Sequence, residues 1–153
     1  MKKLFLLLLL PIFALTACDD DDDEISEAEQ LKIDIAKIEQ YLEETNLTAQ
    51  STESGLHYII LEEGTGDTPT NEAIVDVNYT GMLLDSTIFD SQRNSFILEN
   101  LVEGWQEGLP LIKKGGHIKL FIPSTLGYGD VAISGIPKNS VLLFDIELIN
   151  VIF

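Results

Sequence analysis

Residues 73–84 read AIVDVNYTGMLL, and their alternation restricts the chain more than any other segment. Val75, Val77 and Tyr79 occupy every second position, with Asp76 and Asn78 between them. That period puts the apolar side chains on one face of a strand and the polar ones on the other. A strand with one apolar face needs further strands beside it and a cover over that face. His117 to Ile122 alternates in the same way, and Val141 to Phe153 is a long apolar strand with Asp145 and Glu147 at alternate positions. Gly55 to Leu61 reads as another strand, Thr87 to Ser91 as extended chain, and Asn94 to Leu98 as a short apolar segment. Helical room is left mainly at Leu101 to Ile112, a strand end followed by a short helix, where Pro110 limits the helix to about two turns. The segments follow no βαβ rhythm. The expected class is therefore α+β, an antiparallel sheet wrapped around one short helix. Residues 52–153 form that domain, and about a hundred residues is enough for one core and no more.

The N-terminal third has a different character. Lys2 and Lys3 precede an apolar run from Leu4 to Phe13, and Leu15-Thr16-Ala17 leads to Cys18. This reads as a signal peptide over residues 1–17, too short in its apolar run for a comfortable membrane span. The LTAC tetrad resembles the lipobox of bacterial lipoproteins, which makes Cys18 the expected lipidation site and the cell envelope the expected location. Cys18 is the sole cysteine, so no intrachain disulfide can form. Asp19 to Glu24 are six consecutive acids, and residues 18–25 read as a solvated acidic tether. Within the segment 26–51, Ser26 and Glu29 form a capping-box pair, and Leu31, Ile35, Ile38 and Leu42 share one helical stripe. Such a helix can dock on the domain, pair with a second copy or act as a solvated spacer, and the stripe alone leaves these open. Thr48 to Ser54 is polar and reads as a linker.

Charge and motifs exclude several functions. The net charge of −17 leaves no basic face for phosphate contacts, so nucleic acid is not an expected partner. Anionic headgroups would repel the chain as well, so lipid rather than charge would hold it at a membrane. No cysteine–histidine set has metal-ligand spacing. GTGDTP, residues 64–69, lacks the lysine and following helix of a phosphate loop, and no serine stands in a G-x-S-x-G elbow. His57 and His117 read as strand residues, surface or ladder-facing, with no acidic partner pattern. No metal or cofactor is expected.

The aromatic positions carry a more specific signal. VNYTGML (77–83), FDS (89–91), EGWQEGL (103–109), GYGD (127–130), the Ile136-Pro137 step and VLLFDIELI (141–149) occur in that order after GTGDTP. Together they resemble the FKBP-type peptidyl-prolyl cis–trans isomerase family. The resemblance implies proline-containing polypeptides as substrates and a pocket that accepts macrolides. It implies that Trp105 forms the pocket floor, with Tyr79, Phe89 and Phe144 as walls and Leu101 and Val102 adding apolar lining and a backbone donor. Tyr128 would offer its hydroxyl to a substrate carbonyl, Asp90 would accept hydrogen bonds from Tyr79 or a nearby basic group, and Ile133 and Ile136 would lie on a lid within residues 123–138. Tyr79, Asp90 and Tyr128 are thus the expected catalytic set. Three departures stand out, one of them a lid about one residue shorter than the family's. The family usually carries glycine in the turn occupied here by Asp85-Ser86, and the stretch from Phe96 to Trp105 is shorter than the common pattern, so that Asn94 or Phe96 would replace a missing pocket aromatic. An isomerase that assists exported proteins is the leading expectation, with a non-catalytic binding module of the same fold as the alternative and the oligomeric state open.

Overall fold

The computed structural model describes residues 25–153. The signal peptide, Cys18 and the acidic run through Glu24 lie outside the described residues. Helix α1 (Glu27–Glu44) is followed by strands β1 (Gln50–Ser51), β2 (His57–Glu62), β3 (Ile74–Leu83) and β4 (Ile88–Ile97), then helix α2 (Glu103–Gly108) and strands β5 (His117–Ile122) and β6 (Leu142–Ile152). The strands form one antiparallel sheet in the order β1-β2-β5-β6-β3-β4. This is the α+β arrangement expected from the alternation.

The inner face of the sheet is the apolar one. Val75, Val77 and Tyr79 of β3, Ile118, Leu120 and Ile122 of β5, and Phe144, Ile146 and Leu148 of β6 enclose one cluster with Trp105 and Leu109. α2 lies unusually close to β5. A Cβ on Gly104 would come within 2.5 Å of Ile122 Cγ2, and one on Gly108 within 2.6 Å of Leu120 Cδ2. Bare backbone at these two positions brings Trp105, between them, down onto the sheet. α2 ends at Gly108, and Pro110 sits in a separate 3₁₀ turn, Leu109–Leu111.

Helix α1 covers the opposite face. Ser26 caps it by accepting the Glu29 N–H at 3.2 Å. Ile38 and Leu42 pack with Phe121, Val141 and Leu143, so docking is the alternative realised among the three the stripe allowed. The buried face is rotated from the expected stripe: Gln30, Asp34, Ile38 and Leu42 are buried, while Leu31 and Ile35 are half-buried.

Several local expectations need correction. The segment read as a linker contains β1, which pairs with β2. Asn94 to Leu98 is not a separate apolar segment, because β4 runs unbroken through Ile97. His57 is buried rather than surface-facing, on the α1 side opposite Phe121, with Nδ1 bonded to Gly55 O at 2.9 Å. His117 does have an acidic partner, since Nε2 lies 2.5 Å from Asp145 Oδ1. The pairing of β5 with β6 puts Asp145 beside Lys119, which local sequence distance conceals. Ser86 adopts φ 70°, so the turn keeps a left-handed residue without glycine.

Candidate active site

A cleft of about 410 Å³ opens on the inner face between β3, β4, α2, β6 and the loop after β5. Trp105 forms its floor. The indole is only 4% exposed, yet it lines the hollow instead of being sealed beneath neighbours. Tyr79 stands edge-on to it with centroids 5.2 Å apart, and Phe144 does the same at 5.1 Å. Phe89 meets Phe144 edge-to-face at 5.6 Å, and Phe96 closes the side between Tyr79 and Trp105 at 6.0 and 6.5 Å. Mutual edge-to-face contacts fix these rings and leave ring faces available to an apolar guest.

A β-bulge explains how two consecutive residues both reach the cleft. Gly81 pairs with Asp90 but Met82 pairs with Ile88, so Phe89 is an extra residue on β4. Regular alternation would send Phe89 and Asp90 to opposite faces, and the bulge turns both inward. Gly81 provides the space, because a Cβ there would sit 2.6 Å from Phe89 Cε2 and 2.8 Å from Phe144 Cε1.

The polar groups form one short network. Tyr79 Oη donates to Asp90 Oδ2 at 2.5 Å, and Gln92 Nε2 donates to Tyr79 Oη at 3.0 Å and to Asp90 Oδ2 at 3.4 Å. Burial, reinforced by the Asp90 carboxylate, pushes the Tyr79 phenol up to about 12. The basic partner considered for Asp90 is absent from the lining. Arg93 lies on the other face of β4 and binds Asp76 at 2.7 Å.

The rim comes from two irregular segments. Leu101 and Val102 precede α2, and Gln106 Nε2 holds their turn by donating to Leu101 O at 2.7 Å and Glu99 O at 3.1 Å. Tyr128, Ile133, Ser134 and Ile136 come from the loop after β5. Ile133 and Ile136 exchange backbone hydrogen bonds at 2.9 and 2.7 Å, pinching the loop tip.

All nine expected pocket residues, Tyr79, Phe89, Asp90, Leu101, Val102, Trp105, Tyr128, Ile136 and Phe144, line this cleft. Phe96 fills the position left open between it and Asn94. Asn94 lies outside, its Oδ1 accepting the Ser95 N–H at 2.8 Å. Gln92, Asn100 and Ser134 were not expected. Gln92 follows from period two, since it stands two residues after Asp90 on the same face. Asn100 ends a 3₁₀ turn and has no comparable signal.

The fold and cleft define a small domain with an open, aromatic-walled pocket, and among the described residues no cluster of His, Cys, Asp and Glu could hold a metal ion. The sequence model described as FKBP-type peptidyl-prolyl cis-trans isomerase matches residues 66–149. The FKBP-type peptidyl-prolyl cis-trans isomerase FkpA of Escherichia coli strain K12 is 44% identical over 118 residues, covering 74% of this chain and 43% of that protein. The crystal structure of FkpA from Escherichia coli aligns with a TM-score of 0.72 at 39% identity, over 82% of this chain and 62% of that one. A peptidyl-prolyl cis-trans isomerase structure from Pseudomonas syringae pv. tomato aligns at 0.69 with 29% identity, over 80% and 96%. The chain belongs to the FKBP-type peptidyl-prolyl cis–trans isomerase family. It spans less than half the length of the curated relatives it matches.

Proposed function

We propose that this protein is a peptidyl-prolyl cis–trans isomerase, held at the cell envelope by lipid on Cys18, that assists the folding of exported proteins. The observation that carries the enzymatic reading is the open hollow above the Trp105 indole, edged by Tyr79 and Phe144. Its floor and walls suit one pyrrolidine ring.

The chemistry follows from what turns the bond. A planar X–Pro amide is held by a barrier of about 20 kcal/mol, and uncatalysed exchange takes on the order of tens to hundreds of seconds. At the twisted transition state conjugation is lost and the amide is less polar. An aromatic cleft disfavours the planar amide more than the twisted one, and that difference lowers the barrier without proton transfer. The proline ring would sit on Trp105 between Tyr79 and Phe144. Tyr128, half-exposed at the mouth, would donate to a flanking substrate carbonyl, and the Val102 N–H would bind the peptide backbone. Asp90, bonded to Tyr79, would hold the phenol wall in place rather than accept a substrate proton. The same apolar cup suits a macrolide.

The envelope reading rests on the sequence alone: the apolar run from Leu4 to Phe13, LTAC, and a sole cysteine at its end. Among the described residues no helix is long and apolar enough to cross a membrane. Multiple acyl chains at Cys18 would anchor the chain stably where one would not. A protease-coupled assay on an X-Pro peptide tests the enzyme, and no acceleration at micromolar protein removes that reading. Mass spectrometry of the envelope-extracted protein tests the anchor, and an unmodified Cys18 removes it.

A further inference from the structure

Asp34 has no solvent exposure and lies on α1, outside the family-matched segment. An ionised carboxylate is costly to bury unless its oxygens are well partnered. Four donors converge on this one. Oδ2 accepts the Ser124 N–H at 2.8 Å and the Ser124 Oγ–H at 2.5 Å, while Oδ1 accepts Gln30 Nε2 at 2.8 Å and Lys37 Nζ at 3.2 Å.

Ser124 opens the 3₁₀ turn Ser124–Leu126 at the start of the loop that rims the cleft. Its carbonyl accepts the Gly127 N–H at 2.9 Å and the Gly129 N–H at 2.8 Å, the two residues that flank Tyr128. Gly129 O in turn accepts the Asn139 N–H at 2.8 Å, closing the base of the loop that carries Ile133 and Ile136. A continuous line of hydrogen bonds thus runs from α1 to both ends of the loop. Docking of α1 does not require it, because Ile38 and Leu42 already pack on Phe121 and Leu143. A buried charge contributes little net stability compared with an apolar contact, but its bonds are directional.

We propose that Asp34 is a positioning residue for the prolyl pocket, acting through Ser124 to fix the loop that places Tyr128, Ile133 and Ile136 over the cleft. Helix α1 is then part of the substrate-binding apparatus and not only a spacer. The inference rests on the isomerase reading only in assigning those loop residues to substrate.

The test uses the full chain carrying Asp34→Ala, Asp34→Asn or, as a control for helix docking, Ile38→Val. Three quantities are measured: kcat and KM on an X-Pro peptide, amide exchange at Gly129 and Asn139, and the fluorescence change of Trp105, the sole tryptophan, on binding a proline-containing peptide. Asp34→Ala is expected to raise KM about tenfold with kcat within about threefold, and to speed exchange at Gly129 and Asn139 selectively over β3 and β6. Asp34→Asn keeps an acceptor for Ser124 and is expected to restore KM to within about threefold. Ile38→Val should shift exchange across the whole domain without singling out the loop. A folded Asp34→Ala with loop exchange and KM within about twofold of the parent overturns the proposal. If Asp34→Ala does not fold, Ser124→Ala decides: it deletes only the Oγ–H bond, faster exchange at Gly129 supports the proposal, and unchanged exchange overturns it. If the parent shows no turnover, only the isomerase reading fails, and loop exchange with Trp105 fluorescence still judges Asp34.

Discussion

Tyr79 and Asp90 are diagonal neighbours on paired strands, and the phenol donates a hydrogen bond to the carboxylate at 2.5 Å while accepting one from Gln92. The Tyr79 hydroxyl is therefore fully engaged within the protein. The Tyr128 hydroxyl, exposed at the rim, has no hydrogen-bond partner among the described residues, and on the isomerase reading it is the one left for substrate.

The two tyrosines should separate when their hydroxyls are removed. Tyr79→Phe breaks a part-buried, charge-assisted hydrogen bond and should cost about 1–2 kcal/mol of stability, with kcat/KM falling about tenfold as the wall loosens. Tyr128→Phe should leave stability within about 0.5 kcal/mol while still lowering kcat/KM. Urea unfolding and the protease-coupled assay, run on both variants, check the contrast. Equal stability losses would count against this division.

The same bond predicts a late-titrating phenol. Burial and Asp90 raise Tyr79 to about 12 in the folded state, against about 10 in an unfolded chain. The folded state then holds this proton more tightly than the unfolded one. Its contribution to stability is complete below about pH 10 and is lost as pH rises toward 12. Ultraviolet titration of tyrosinate should show one of the four tyrosines ionising late, and Tyr79→Phe should remove that step.

Gly81→Ala probes the aromatic wall without touching a polar group. The added methyl would press on both Phe89 and Phe144, within 2.6 and 2.8 Å of their rings. Overpacking of this kind costs about 1–3 kcal/mol. Here the two rings that must move line the cleft, so kcat/KM should fall at least tenfold, roughly, even in conditions where the variant is fully folded. Trp105 fluorescence reports the displacement directly, and an unchanged spectrum with normal activity would refute it.

The sheet and most of the cleft were legible because both depend on short-range pattern. Alternation located β3, β5 and β6, and the ordered aromatic blocks pointed to Tyr79, Trp105 and Phe144. What was missed depends on partners distant in sequence. The buried face of α1 contains Asp34 because Ser124, 90 residues away, supplies its donors, and periodicity ranks such a residue as polar and therefore outward. His117 lacked a visible partner because Asp145 reaches it only through the β5–β6 pairing. Gln92 was within reach of the alternation from Asp90, but the bulge at Phe89 interrupts the pattern just before it.

Asp145 should contribute to the acid limb of stability. Burial alone would raise its pKa, but hydrogen bonds from Lys119 and His117 outweigh burial and hold the carboxyl below the usual range. A folded-state value below the unfolded one, about 3.9, means the contribution is present above pH 4 and lost as pH falls through the folded value. Asp145→Asn should flatten this limb in acid unfolding followed by circular dichroism. It should leave prolyl isomerisation intact at neutral pH, since Asp145 is not among the cleft residues.

Ser86 offers a gain rather than a loss. It sits at φ 70° in the β3–β4 turn, where Ser86 N–H donates to Leu83 O at 3.0 Å, Leu83 N–H to Thr87 O at 2.9 Å, and Thr87 N–H to Asp85 Oδ1 at 2.9 Å. The turn is thus closed by bonds that do not use the Ser86 side chain. Two effects of Ser86→Gly oppose each other. Relief of a left-handed non-glycine backbone is worth about 1–2 kcal/mol, while the extra freedom of glycine in the unfolded chain takes back about 0.4–1 kcal/mol. Relief is the larger, so Ser86→Gly should raise the urea midpoint by an amount equivalent to at most about 1.5 kcal/mol, with the slope unchanged. A lowered midpoint would mean that Asp85 and Thr87 already hold the left-handed residue at little cost, and that the unfolded state decides the sign.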